Sequence, residues 1–135
     1  MPSNSSTATS FHYGIVSYDF HTYFKLDNPE EVKFALELKQ SVESEFKNDL
    51  SEGNCRSFDA YMESVGPHTD GYGMFEVDTK SPGTFLRLLN YYQTHHRELS
   101  VLIHPRTDKG DLIDHTTYAL WLGTPKPLKT EIFKD

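Results

Sequence analysis

A single cysteine, Cys55, occurs in the 135 residues, so no disulfide can close within the chain and the fold must rest on a hydrophobic core. That usage makes the cytoplasm the expected location. Long apolar runs are missing as well. Nothing approaches the roughly 18 residues needed to span a bilayer, which sets integral membrane proteins aside. Basic clusters are scarce in a chain of net charge −7 and pI near 5.4, and without them a phosphate backbone has little to be neutralised by. Nucleic acid and membrane surfaces are therefore not expected partners. Gly71 and Gly73 do not make the Gly-x-Gly-x-x-Gly turn of a dinucleotide site, and no phosphate loop is present. Residues 1–10 lack both a basic start and an apolar stretch, so they fit neither a secretory signal nor a transit peptide. Residues 1–12 read as a flexible tail, and 13–135 as one domain.

What is present is the balance of a folded soluble protein: 36% apolar, 24% charged and 13% aromatic residues. Residues 15–25 alternate, with Tyr18, Phe20, Thr22 and Phe24 on one face and Asp19, His21 and Tyr23 on the other, which predicts a strand. Asp27 or Asn28 can cap a helix opening at Pro29, where a missing N–H is harmless. Ala35, Leu38, Val42 and Phe46 recur at helical spacing, and the turn-rich 51–54 ends that helix near Asn48. A second strand is predicted over 57–65 and a third, antiparallel to it, over 72–77. Ser81 and Pro82 repeat the cap-then-proline start for a helix carrying Phe85, Leu88, Leu89 and Tyr92. Residues 99–104 form a fourth strand that sets Ser100, Leu102 and His104 opposite Leu99, Val101 and Ile103.

This βαββαβ order predicts an α+β, ferredoxin-like antiparallel sheet with both helices on one face. The other face would be a large exposed apolar patch unless something covers it. A homodimer is therefore expected, along with an extra C-terminal strand or segment supplied by residues 118–123.

Of seven histidines, His21, His68, His104 and His115 sit beside turns or at strand ends. His21 and His104 fall on the helix-free face of strands that are neighbours in this topology, so a shared metal is feasible. A ring-cleaving iron centre needs a few imidazole or carboxylate ligands and open positions for substrate and dioxygen. An isolated histidine near a strand end is, however, more often a hydrogen-bonded structural residue. His12, at the tail, and His95 and His96, closing a helix whose dipole they complement, are assigned to that class. Tyr23 and Trp121 can line an aromatic pocket or simply fill a core. Asp114 can orient the His115 imidazole or belong to an ordinary turn. Cys55 lacks a neighbouring histidine and is a poor nucleophile candidate. From these residues alone, a non-catalytic dimeric module that binds a small ligand and a metal-independent enzyme both stay open.

The blocks Asp19-Phe20-His21-Thr22-Tyr23-Phe24, Val65-Gly66-Pro67-His68, Leu99-Ser100-Val101-Leu102-Ile103-His104-Pro105, and Asp114-His115-Thr116 followed by Ala119-Leu120-Trp121-Leu122-Gly123 occur in this order. In that order they resemble the recurring blocks of the DOPA 4,5-dioxygenase family, over about residues 18–123. The resemblance implies extradiol cleavage of a catechol such as L-DOPA, with Fe(II) as cofactor and O2 as co-substrate. It also implies His21, His68 and His104 as metal ligands and His115 as the acid-base group, with Asp114 as its orienting partner and Tyr23 against the substrate. Many members carry His-x-His in the first block, where this chain has Asp19-Phe20-His21. Either Asp19 completes a two-histidine, one-carboxylate set, or the iron site is altered.

Overall fold

The computed structural model describes residues 10–133. Five strands form one sheet: β1 (Ser17–Lys25), β2 (Cys55–Ser57), β3 (Tyr72–Thr79), β4 (Ser100–Arg106) and β5 (Leu120–Leu122), in the order β2-β3-β1-β4-β5. All neighbours are antiparallel. Helices α1 (Pro29–Glu45), α2 (Lys47–Ser51) and α3 (Pro82–His95) intervene, and a short α4 (Asp111–His115) follows β4. The ferredoxin-like α+β arrangement with an added C-terminal strand is thus the observed one. No helix among the described residues is long and apolar enough to cross a membrane.

Strand alternation divides the protein into two layers. Phe20, Phe24, Phe75, Val77, Leu99, Val101 and Ile103 meet Ala35, Leu38 and Val42 of α1 and Leu88 and Tyr92 of α3 in the main core. Both helices begin as the sequence predicts: Asn28 and Ser81 accept from Glu31 N and Thr84 N, each followed by proline in the first turn. On the opposite face Tyr23, Met74 and Leu102 form a second, smaller cluster with Val65, Tyr72, Ala119, Trp121 and Leu128. The chain covers this face itself. β5 pairs Trp121 with Leu102, Lys129 N donates to Pro67 O at 2.7 Å, and the Thr69 hydroxyl donates to Pro127 O.

Three boundaries differ from the sequence reading. The first helix stops at Glu45, because Phe46 leaves helical geometry (φ −105°, ψ 26°) and buries its ring, and α2 restarts at Lys47. The second strand is not 57–65 but the short β2, followed by an isolated bridge between Tyr61 and Met74. From Ser64 to Gly71 the chain leaves the ladder and folds on itself, the Ser64 hydroxyl donating to Thr69 O and accepting from Gly71 N. That loop is what lifts His68 over the sheet. Most of the tail expected over 1–12 lies outside the described residues. Phe11, placed in it, instead packs edge-on against Tyr18 and Phe85, with centroids 5.0 and 5.7 Å away.

Helix α2 is tied to α3 through Asp49, which is 7% exposed and accepts from Arg87 Nη1 at 3.0 Å and from the Thr84 hydroxyl at 3.0 Å. Arg87, with help from Thr84, holds the Asp49 carboxyl below the ordinary carboxylate range against the opposing effect of burial. A depressed carboxyl stabilises the fold above its unfolded pKa, about 3.9, and that contribution fades as pH falls through the folded value. Asp49→Asn is expected to cost about 2 kcal/mol in urea unfolding at pH 7. The gap to wild type should narrow steadily below pH ~4; a gap independent of pH would show that charge is not the source.

Candidate metal centre

The register between β1 and β4 sets Asp19 opposite His104, His21 opposite Leu102 and Tyr23 opposite Ser100. On the other side β3 sets Asp78, Glu76 and Met74 opposite Asp19, His21 and Tyr23. The helix-free face is therefore a grid of polar groups at one end and aromatic and aliphatic groups at the other. His21 and His104 are buried within it, and α4 brings the half-buried His115 down onto them. The ring of His115 lies 3.8 Å from that of His104 and 6.2 Å from that of His21, centroid to centroid.

Each of the three imidazoles has its Nδ1 committed. His104 Nδ1 donates to Pro105 O at 2.9 Å, His115 Nδ1 donates to Asp111 O at 2.8 Å, and His21 Nδ1 faces Met74 Sδ at 3.3 Å. A neutral imidazole carries one N–H, so a donor at Nδ1 leaves a bare lone pair at Nε2. His21 Nε2 and His104 Nε2 stand 3.1 Å apart. Burial, the neighbouring histidines and Arg106 push His21 well below the usual imidazole range, and burial with His115 lowers His104. His104 donates from Nδ1, so the contact holds one proton, on His21 Nε2 and shared with the His104 Nε2 lone pair; a metal ion bound to both nitrogens would take its place and shift that proton to His21 Nδ1, against the Met74 sulfur.

His21, His104 and His115 offer one ring nitrogen each, all within 4.8 Å of one another. Nitrogens bound to one ion at about 2.0–2.2 Å lie at most about 4.4 Å apart, so small adjustments suffice. These residues could hold a metal ion. Asp19 adjoins them, its Oδ2 at 3.6 Å from His104 Nε2 and at 3.2 Å from Arg106 Nε. Its Oδ1 is buried and meets no N–H or hydroxyl donor. Burial, Asp19 and Asp78 push the Glu76 carboxyl up to about 7, and Glu76 is the neighbour able to lend Asp19 a proton. Asp19, His21 and Glu76 are a second, overlapping group whose ligand atoms lie equally close.

His68 lies beside the triad rather than in it, its ring 4.7 Å from that of His21. Its Nδ1 is 2.5 Å from the Tyr23 hydroxyl. Burial raises the Tyr23 phenol far above its usual range and lowers His68 to about 4, so the phenol keeps its proton and donates it to Nδ1. Tyr23 also stacks on Trp121, with centroids 5.8 Å apart at 25°. Asp114, expected to orient His115, accepts instead from the backbone and hydroxyl of Thr107. Its effect on His115 runs through the placement of α4. The sequence reading missed the Asp111 carbonyl, Met74 and Phe133, whose ring is 4.8 Å from that of His115. Helical i, i+4 spacing from Asp111 to His115 is the one signal that pointed to any of them.

The sequence model of the Dopa 4,5-dioxygenase family matches residues 18–132. An uncharacterized 21.2 kDa protein of Botryotinia fuckeliana is 33% identical over 87% of this chain and 63% of its own length. The DOPA 4,5-dioxygenase of Amanita muscaria is 32% identical over 84% of this chain and 48% of its own. The chain thus spans about half to three-fifths of the length of these relatives. A solved Nostoc punctiforme structure, provisionally assigned as a dioxygenase, superposes with a TM-score of 0.61 at 22% identity, over 88% of this chain and 91% of that one. That likeness concerns the fold.

Metal titration checks the geometry. Wild type is expected to take up one Fe(II), or Zn(II) as a redox-silent substitute, per chain. His21→Ala and His104→Ala should each weaken uptake by more than the roughly 10–100-fold typical of losing an outer partner, while His68→Ala retains it. Equal loss in all three variants would place His68 among the ligands.

Proposed function

Because the chain belongs to the Dopa 4,5-dioxygenase family, we propose that it is an extradiol dioxygenase that opens a catechol such as L-DOPA with O2, at a non-haem Fe(II) held by His21, His104 and His115. The observation that carries this reading is the convergence of three imidazole nitrogens within 4.8 Å of one another, two of them on rings whose Nδ1–H is held by a backbone carbonyl. Three neutral nitrogen ligands leave coordination positions free on one side of an ion, as ring cleavage requires. Ferrous iron bound there would supply the electron transfer that couples a catechol to O2.

The roles of two histidines are exchanged relative to the sequence expectation. His115 joins the ligands, and His68 becomes the acid-base group. With Nδ1 accepting from the Tyr23 hydroxyl, His68 has Nε2 left to exchange protons, on a ring 4.7 Å from that of His21. Tyr23 fixes that tautomer and, with Trp121, builds a flat wall against which an aromatic ring can lie. Pro105 O and Asp111 O fix the orientation of two ligands, as outer partners of metal-bound imidazoles do.

The test is anaerobic loading with Fe(II), followed by L-DOPA or caffeate and a measured pulse of O2. Equimolar O2 uptake with a yellow ring-opened product is expected. Absence of turnover by fully loaded protein across a panel of catechols sinks the proposal. In an active enzyme, His68→Ala should lower kcat by about 10²–10⁴-fold with iron content unchanged, and Tyr23→Phe should lower it by less.

A further inference from the structure

A cleft of about 390 Å³ opens at the end of the sheet where β1 begins and β4 ends, lined by Ser17, Arg56, Asp78, Lys80 and Arg106 among others. Three cationic side chains line one cleft of a protein whose net charge is −7. Arg106 stands two residues beyond His104 on the same strand and face, about 7 Å along it. The cleft thus continues the row of the histidine cluster.

We propose that this cleft holds a carboxylate carried by the aromatic substrate, with Arg106 and Arg56 as the residues that select it. The proposal rests on the ring-opening reading above. Asp19 and Asp78 are direct partners across β1 and β3, and each grips one guanidinium. Arg56 donates to Asp78 through Nε and Nη2, at 3.0 and 2.6 Å, and Arg106 donates to Asp19 through Nε at 3.2 Å. The two carboxylates are buried, while the side chains of Arg56 and Arg106 remain 66% and 60% exposed. Both forks are therefore oriented from beneath and open to solvent above. Asp111 also bears on Arg106, from the start of α4.

A planar fork held this way suits a carboxylate through paired N–H donors. A ring bound at the histidines and joined to its carboxylate by a short chain can span the distance to Arg106. Lys80 adds positive charge to the cleft beyond the two guanidinium groups that Asp78 and Asp19 balance, which favours an anionic substrate on an otherwise acidic protein.

Two measurements test the assignment. The first compares kcat/KM for 3-(3,4-dihydroxyphenyl)propionate with that for 4-ethylcatechol. Wild type should prefer the acid, and Arg56→Gln and Arg106→Lys should each cut the preference about tenfold, chiefly through KM. An unaltered ratio, with both substrates affected alike, overturns the clamp. The second measurement uses the metal-free protein and ligand-observed NMR with 3-phenylpropionate and 3-phenylpropionamide. Wild type should retain the acid over the amide, and the variants should not. Equal binding by wild type overturns the clamp whatever the turnover. Preference for the acid without turnover of any catechol supports an acid-selecting cleft and counts against the ring-opening reading alone. If Arg56→Gln does not fold, Arg106→Lys carries the comparison alone.

Discussion

Antiparallel pairing of β1 with β4 is the constraint on which the site depends. It puts Asp19 beside His104 and His21 one row further on, with alternation sending all of them to the face away from the helices. A slip of one residue would turn His21 and Tyr23 into the main core and bring Phe20 and Phe24 out. The register is held from the other side, where Phe20, Phe24, Val101 and Ile103 are all fully buried against α1 and α3. The packing that stabilises the protein and the placement that groups its histidines are thus two faces of the same ladder.

Burial does the electrostatic work. His21 and His104 lie in a setting that disfavours charge and sit next to further imidazoles, so they stay neutral and keep lone pairs available at neutral pH. A backbone carbonyl directs the tautomer of His104 and another that of His115. Backbone acceptors cannot be lost by side-chain substitution, which makes this orientation robust. Negative charge is kept to the margin, where Asp19 and Asp78 pair with arginines and Glu76 retains a proton over part of the neutral range.

Much of this was legible in the sequence, because period-two alternation and cap-then-proline starts are local signals. The faces of β1 and β4 and the starts of α1 and α3 follow directly from them. The placement of His68 and His115 about the His21–His104 pair was not legible. It depends on where the loop from Ser64 to Gly71 and a five-residue helix come to rest, and those positions are set by Ser64, Thr107, Asp114 and the C-terminal segment. The Asp114-His115 neighbourhood in sequence suggested an orienting pair, yet adjacent helix residues point apart, and the imidazole bonds one turn back to Asp111 instead. Likewise the pairing of Asp49 with Arg87 joins residues 38 apart in the chain, beyond the reach of any periodicity.

The segment crossing the Gly66–Thr69 loop is attached by few bonds: Lys129 N to Pro67 O, the Thr69 hydroxyl to Pro127 O, and the exposed pair of Lys129 with Asp70. Local opening free energy scales with what must be broken, so this strap can detach at far lower cost than any strand of the five. Amides in the strap should consequently exchange with deuterium long before those of β1 and β4. The cover over the helix-free face is thereby the least firmly held part of that layer, while the strands that carry His21 and His104 stay paired.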